Sequence, residues 1–454
     1  MCFAVRRGDA AVRLDVDFST PRFQALRRAM VDGVWPTRTI ESISRYLKTG
    51  FAAGLQDQVV NDEDGIPHIR PLNLLENGNL TLEGTKRVPS ESTSPEDLCQ
   101  LGEVLFNNTN SPAWVGKSTV FDLKVFCACS NHITRIGCTE SVLPRFLAES
   151  LNSLRAIGYF KTLSTSFNNQ AGVNSTTLAE TRIPIPPVET QRQLMAEFDA
   201  ARAERDRALA EANRLLGSID ELVVDVLGLP AVPAAVHAGY AIRLGQAREG
   251  TTLSADYFHP ERMRALKAIQ AVPNAVLASL VSFERQIVAS PGASRYIGLA
   301  SVAGTTGQLT DAVESATGQC FRFKQDDVLY GRLRPYLNKV WLSAFEGVCS
   351  TEFHVMRVLD SAALLPAYLA VVMRTQLIVA QTRHMMTGNT HPRLANEDVV
   401  NLLIPLADIT VQQRIVDEVE ASQRKAANLR THAETIWQHA RERFEQQLLQ
   451  GTAP

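Results

Sequence analysis

IPIPPVETQRQLMAEFD, residues 183–199, joins a strand punctuated by proline to a segment with apolar residues at helical spacing. A second version, LLIPLADITVQQRIVDEV at residues 402–419, sets Gln413-Arg414 against Gln191-Arg192, 222 residues further on, with IPLAD where the first has the doubled proline and one extra residue before Gln413. The likeness extends outward in both directions. LDVDFSTP (14–21) matches LSADYFHP (253–260), Val104-Leu105-Phe106 matches Val328-Leu329-Tyr330, Arg135 matches Arg357, and LPRFL (143–147) matches LPAYL (365–369). Half of the chain is a diverged copy of the other half, which is the feature to settle before any other.

Each copy begins with short β-branched runs broken by Gly, Asn, Pro and Asp, a pattern of strands and turns with a few helices. Each ends in a long proline-free stretch rich in Ala, Glu, Arg, Leu and Gln, which is helix composition. Stepping alternately four and three residues tests for a heptad seam. The first stretch gives Leu194, Phe198, Ala201, Arg205, Ala208, Ala212, Leu215, Ile219, Leu222 and Val226, with Arg205 the only polar member. The second gives Ile415, Val419, Ser422, Ala426, Leu429, Ala433, Ile436 and Ala440, then Phe444 and Leu448, with Ser422 the only polar member. Gly228 followed by Pro230 and Pro233 stops the first helix, and Gly451 stops the second.

The fold class that follows is α+β (mixed α/β), with two homologous globular domains separated by two long helices that pair as an antiparallel coiled coil, a pseudo-twofold internal repeat. The divisions are 1–187 for the first domain, 188–228 for the first long helix, 229–240 for a linker, 241–406 for the second domain and 407–451 for the second long helix. Packing of each helix against its own domain is the competing arrangement. Two seams of matching length and phase favour pairing.

Composition narrows the function classes. The chain has 454 residues, 45% apolar and 21% charged, with 46 Lys+Arg against 48 Asp+Glu. This is a globular balance, and it lacks the excess of basic residues by which a protein that depends on phosphate contacts usually shows itself. The longest apolar run, 362–373, is 12 residues long and interrupted by Pro366, too short for a membrane span of ~20 residues. No apolar core of a secretory signal follows Met1, and seven cysteines cannot all pair within one chain, so a reduced cytoplasmic setting is expected.

Signatures of chemistry fail one by one. No G-x-G, H-E-x-x-H or G-x-S-x-G occurs, and the only Pro-Pro, at 186–187, follows Ile185 rather than Asn, so the N-P-P-[FYW] motif of amino-methyltransferases is missing. Gly116-Lys117-Ser118 has the ending of a phosphate loop, but Ser111 stands where its first glycine belongs. Asp62-Glu63-Asp64-Gly65 lacks the first ligand of a calcium loop, because Val60 holds that place. Cys127, Cys129, Cys138 and His132 lack the paired spacing of a structural zinc site and read as buried thiols. No catalytic residue and no bound metal or cofactor is expected.

Two loops carry candidate base readers. FRFKQDDVLYGRLRPYLNKVW (321–341) interleaves five Lys/Arg with five aromatics, and its Gly331-Arg332-Leu333-Arg334-Pro335 turn offers two guanidinium forks suited to guanine; Asn338 and Lys339 follow. The equivalent place in the first copy is rich in asparagine, with Asn107, Asn108 and Asn110 followed by Lys117, and asparagine suits adenine. Ordinary surface turns are the alternative for both. Arg22 and Arg27 in one copy, and Arg262 and Arg264 in the other, are candidates for phosphate contacts, against a plain solvated helix face.

Taken together, two diverged copies, each closing on an Ile/Leu-x-Pro strand, a glutamine-arginine pair and a long heptad helix, resemble the specificity (S) subunit of type I restriction-modification systems. Residues 182–199 and 403–420 carry the match. Gln170-Ala171-Gly172-Val173-Asn174 and Thr387-Gly388-Asn389-Thr390 stand where that family has a glycine-containing turn. The resemblance implies two target-recognition domains, each reading one half of an asymmetric bipartite sequence in double-stranded DNA, and helices that set the spacing between the halves. It further implies docking of methyltransferase subunits, two in number, that carry S-adenosylmethionine, with motor-nuclease subunits joining for cleavage. A scaffold without DNA, in which a coiled coil spaces two protein-binding domains, is the rival reading, and a nucleotide-dependent enzyme built on Lys117 is a second.

Overall fold

The computed structural model describes residues 20–54, 58, 65–167, 170–230, 241, 255–289, 295–312, 314–316, 318–386 and 392–450. The Asp62–Asp64 cluster, the Thr387–Thr390 turn, residues 14–19 of LDVDFSTP, residues 253–254 of LSADYFHP and residues 231–240 of the linker lie outside them. The chain divides into two compact units, one of residues 1–206 with 433–454 and one of residues 207–432.

In the first unit a four-stranded antiparallel sheet runs in the order Ser44–Thr49, Ile133–Cys138, Val104–Asn107, Ser118–Val120. In the second unit the order is Val281–Glu284, Phe353–Val358, Val328–Gly331, Val340–Leu342, again antiparallel throughout. Each sheet is followed by a helix opened by proline, Pro144–Ala156 and Pro366–Met373. Proline suits the first helical turn because its missing N–H is one that the helix leaves unpaired there in any case. Each unit also has a two-stranded pair that ties the start of the fold to its end: Thr37–Thr39 with Arg182–Pro184, and Asn274–Val276 with Leu403–Pro405. Identical strand order and sense establish the internal duplication as a duplication of fold. The cores form around Phe106, Ile136, Phe146, Leu151 and Phe160 in one unit and around Val328, Tyr330, Met356, Tyr368 and Leu369 in the other.

The ladders correct two details of the sequence alignment. Leu105 faces Arg135, whereas Leu329 faces Val355, so the counterpart of Arg135 is Val355 and Arg357 sits two residues further along the same face. Gln170–Gly172, read as a turn, is a strand paired with Thr165–Phe167 and Thr109–Asn110, and Asn174 beyond it caps the short helix Ser175–Glu180.

Gln191 is fully buried; its Oε1 accepts from the Leu143 amide at 2.8 Å, and its Nε2 donates to the carbonyls of Ser141 (3.0 Å) and Pro186 (2.8 Å). The residue with the same three bonds in the second copy is Gln412: Oε1 to the Leu365 amide at 2.9 Å, and Nε2 to Ala363 and Ala407, both at 2.8 Å. Gln413 is exposed and bonds only Asp417. The true separation is therefore 221 residues and needs no insertion, because the strands 182–184 and 403–405 and the helix starts at Val188 and Ile409 keep the same interval. Two adjacent glutamines made the alignment ambiguous in sequence, and burial resolves it.

The long helices run from Val188 to Gly217 and from Ile409 to Gln450. The first does not continue unbroken to Gly228. It loosens at Ser218, where ψ is −1°, and resumes over Ile219–Val226; Gly217 is a weak helix former and the Ser218 hydroxyl donates to the Leu215 carbonyl at 3.1 Å, while the Ser218 amide still reaches the Arg214 carbonyl at 3.0 Å. The resumed helix ends as expected: Gly228 takes φ +63°, and the Leu229 amide reaches back to the Val224 carbonyl at 2.9 Å.

Within the first unit, the end of the second long helix packs on the start of the first in the antiparallel sense. Phe198 meets Phe444 at a ring separation of 5.5 Å, Arg205 lies 4.2 Å from the Trp437 ring, and Glu197 pairs with Arg443 at 3.6 Å. Phe444 and Leu448 thereby join the first copy's core. Leu194, Phe198, Ile415 and Val419 of the seam are buried, and Leu215, Ile219, Leu222, Leu429 and Ile436 are half-buried. Arg205, the polar exception, is buried against the indole of Trp437. Among the described residues no helix is long and apolar enough to cross a membrane.

Replacing Gln191 or Gln412 by leucine leaves one amide and two carbonyls without their partner, and urea unfolding should register a loss of roughly 2–4 kcal/mol for either. Gln413→Ala, at an exposed position, should stay within about 0.5 kcal/mol of the parent.

Candidate nucleic-acid interface

The asparagine run of the first copy lies at the end of the inner strand Val104–Asn107 of the main sheet and leads into Thr109–Asn110. Asn107 is fully buried, and its Nδ2 donates to the Trp114 carbonyl at 3.0 Å. Asn108 donates to the Asn131 carbonyl and to Thr134 Oγ1 and accepts from Thr109. The Asn110 side chain accepts from the Ser111 amide. The amides of Asn107 and Asn108 therefore hold the turn and do not face solvent, a correction to their reading as adenine contacts. The cause is the sharp return at Gly116, where φ is +94° and an added Cβ would meet the Phe160 ring. Beyond it Lys117-Ser118 enters a strand, not a helix, so the phosphate-loop likeness lacks the helix N-terminus on which such a loop depends.

In the second copy the Arg332-Leu333-Arg334 segment is held by main-chain bonds to residues 392–394: the Arg334 amide to the Pro392 carbonyl at 2.8 Å, and the Leu394 amide to the Arg332 carbonyl at 3.0 Å. Arg393 in turn forks onto Glu352, with contacts of 2.7–3.1 Å. Asn338 is buried in the left-handed region and donates to the Arg374 carbonyl, and Lys339 Nζ donates to the Leu299 carbonyl at 2.6 Å. Those two side chains thus hold the loop. Arg332 and Arg334 remain half-buried at its surface. Arg332 borders a small cavity of about 60 Å³ lined by Phe283, Phe321, Phe353, His354 and Asn396, and its Nε has no hydrogen-bond partner among the described residues. Burial, helped by Arg332 and Arg285, lowers the pKa of His354 to about 4.

The helix arginines divide in the same way. Arg262 is buried, its guanidinium 3.9 Å from the Tyr257 ring and bonded to the Tyr257 carbonyl, so its place is inside the fold and not on a solvated face. Arg264 donates to the Pro260 carbonyl at 3.0 Å and is half-buried. Arg27 is half-buried within electrostatic reach of Tyr159. Arg22 lies in the helix Pro21–Asp32, and its side chain is outside the described residues.

Three arrangements escaped the sequence because their members are far apart in it. Arg202 on the first long helix forms a buried ion pair with Glu149. Trp114 is flanked by Lys117 and Arg155. His259, Glu261 and His384 bring potential metal-ligand atoms within 4.8 Å of one another, but the Glu261 carboxylate is bonded to both Arg383 and His384, and the two imidazoles are stacked at 3.7 Å. The six described cysteines are free and buried, and burial pushes the Cys127 and Cys138 thiols up to about 12.

No family model matches the chain. In sequence, it is 24% identical over 174 residues to the putative type I restriction enzyme MjaX specificity subunit of Methanocaldococcus jannaschii. That match covers 36% of this chain and 39% of the relative, so the chain spans about two fifths of the relative's length. In structure, it is similar to a chain from a study of complex assembly and conformational transition of the type I R-M system, with TM-score 0.54, 13% identity, and 93% and 99% of the two chains covered. The type I restriction-modification S subunit of M. genitalium matches with TM-score 0.46 and 12% identity over 92% and 96%.

His354 also makes stability depend on pH. Its folded pKa of about 4 lies below the ordinary value of 6.5, so its contribution is complete above pH 6.5 and is lost as pH falls toward 4. Urea unfolding at pH 7 and pH 5 should show about 2 kcal/mol of this loss in the parent and its absence in His354→Gln. With a mixed helix and strand fold of the same kind and a matching stretch of sequence, the chain resembles the specificity subunits of type I restriction-modification systems.

Proposed function

We propose that the chain is the DNA sequence-recognition subunit of a type I restriction-modification complex, without catalytic activity of its own. The observation that carries the reading is a duplicated fold in which each copy launches a long helix through the same glutamine clamp, while the loops at equivalent sheet edges differ in chemistry. Two readers with unlike loops suit an asymmetric target in two parts. The domains are 1–187 and 241–406, joined by the linker 229–240, and the helices 188–228 and 407–451 pair antiparallel as a rod that fixes the spacer between half-sites. Phe198, Trp437 and Phe444 support the pairing at one end.

The chain's partners are double-stranded DNA, two methyltransferase subunits that bring S-adenosylmethionine, and motor-nuclease subunits for cleavage, all in the cytoplasm. The near balance of 46 basic and 48 acidic residues leaves part of the phosphate neutralisation to the methyltransferases.

The test is to map methylated adenines in cells that express the chain with a methyltransferase partner. Exchanging residues 1–187 for another first domain should change one half-site and leave the other; an unchanged methylated sequence would favour the scaffold reading. Adding or removing whole helical turns within residues 205–215 should change the spacer length, and a constant spacer would remove the ruler role. The isolated chain should bind duplex weakly and gain affinity when the methyltransferase is added.

A further inference from the structure

In the first copy two cations meet one indole, and among the described residues no carboxylate lies in ion-pair range of either. Lys117 is 8% exposed, with Nζ 5.2 Å from the centre of the Trp114 ring. The Arg155 guanidinium carbon lies 5.4 Å from the same centre. One Arg155 Nη donates to the Ala113 carbonyl at 3.2 Å, while its Nε is buried without a hydrogen-bond partner. Among the described residues the Lys117 ammonium makes no hydrogen bond and no ion pair; the indole is its only close polar contact. The charges that act on the pair from further away are Glu76 on both and Arg441 on Arg155, so cations outnumber acids. Burial, and then Arg155, lower the proton affinity of Lys117. Holding two like charges together, partly out of water, costs stability unless a counter-charge arrives.

The second copy shows that the fold does not require this cost. Ser118 and Val340 open the equivalent edge strands, and a left-handed residue stands two places before each, Gly116 with φ +94° and Asn338 with φ +52°. The lysine between them is Lys117 in one copy and Lys339 in the other. Lys339 is satisfied by the Leu299 carbonyl at 2.6 Å. Among the described residues, the first copy leaves its ammonium unclaimed and sets a guanidinium against the same indole.

We infer that Lys117 and Arg155, backed by Trp114, form an oxyanion site that takes a phosphate group, and that the duplex backbone supplies it. A guanidinium fork with a point-charge ammonium matches the two non-bridging oxygens of a phosphodiester. The choice of duplex as the source rests on the proposed function; the anion site does not.

The test uses the full chain with its methyltransferase partner and duplex DNA of random sequence, reading affinity against salt. Lys117→Gln and Arg155→Gln should each weaken binding roughly threefold at physiological salt and reduce the slope of log K against log salt by about 0.9. Lys117→Arg should restore the slope. Parental slopes in both glutamine variants would overturn the assignment to DNA. In parallel, inorganic phosphate is titrated calorimetrically into the full chain at constant ionic strength. Binding that Lys117→Gln and Arg155→Gln both abolish supports the site even if the parent binds no duplex, in which case the proposed function fails and the duplex falls as the source. No phosphate binding by the parent, together with unchanged salt slopes, overturns the site itself.

Discussion

A single buried amide decides where each long helix begins. Gln191 and Gln412 each take one main-chain N–H and give to two carbonyls, stapling the entry of the helix Pro144–Ala156 or Pro366–Met373 to the first turn of the long helix. With an amide that has no free valence left on the nitrogen side, the angle at which the helix leaves the domain is set by covalent geometry plus three hydrogen bonds. A helix of 42 residues magnifies any error at its root, since at ~1.5 Å per residue a tilt of a few degrees moves the far end by several ångströms. The same clamp stands at the root of both long helices.

The first long helix is held to its domain by charge as well as by apolar packing. Arg202 reaches into the fold to Glu149, and its guanidinium lies 5.5 Å from the rings of both Phe198 and Trp437. A buried ion pair is weak evidence for stability, because desolvation of the two ions offsets their attraction, but it is strict about geometry. Arg205 repeats the arrangement one turn on, against Trp437. The polar interruption of the heptad seam is thus a site of registration, where cations stack on an indole, and not a flaw in the apolar stripe.

Residues suited to reading bases were easy to list from the sequence and hard to assign. Asn107, Asn108, Asn338 and Lys339 have the right chemistry for DNA edges or phosphates, yet each is bonded to main chain or to a neighbouring side chain within its own unit. Short polar side chains at strand ends satisfy orphan backbone groups first, since a buried carbonyl or amide without a partner costs more than a surface contact returns. Arg155 carried no signal because it is 41 residues from Trp114 and sits in an ordinary helix.

By itself the sequence determined the duplication, the change from mixed strands and turns to long helix, the burial of the apolar positions Leu194, Phe198, Ile415 and Val419, and the stop at Gly228. All of these are written in local spacing, and local spacing follows from backbone geometry. Tertiary structure alone decided that Gln412 and not Gln413 is the partner of Gln191, and that Lys117 stands uncompensated where Lys339 is capped. Each depends on which atoms from distant parts of the chain compete for one donor or one cavity, and that competition exists only after the chain has folded.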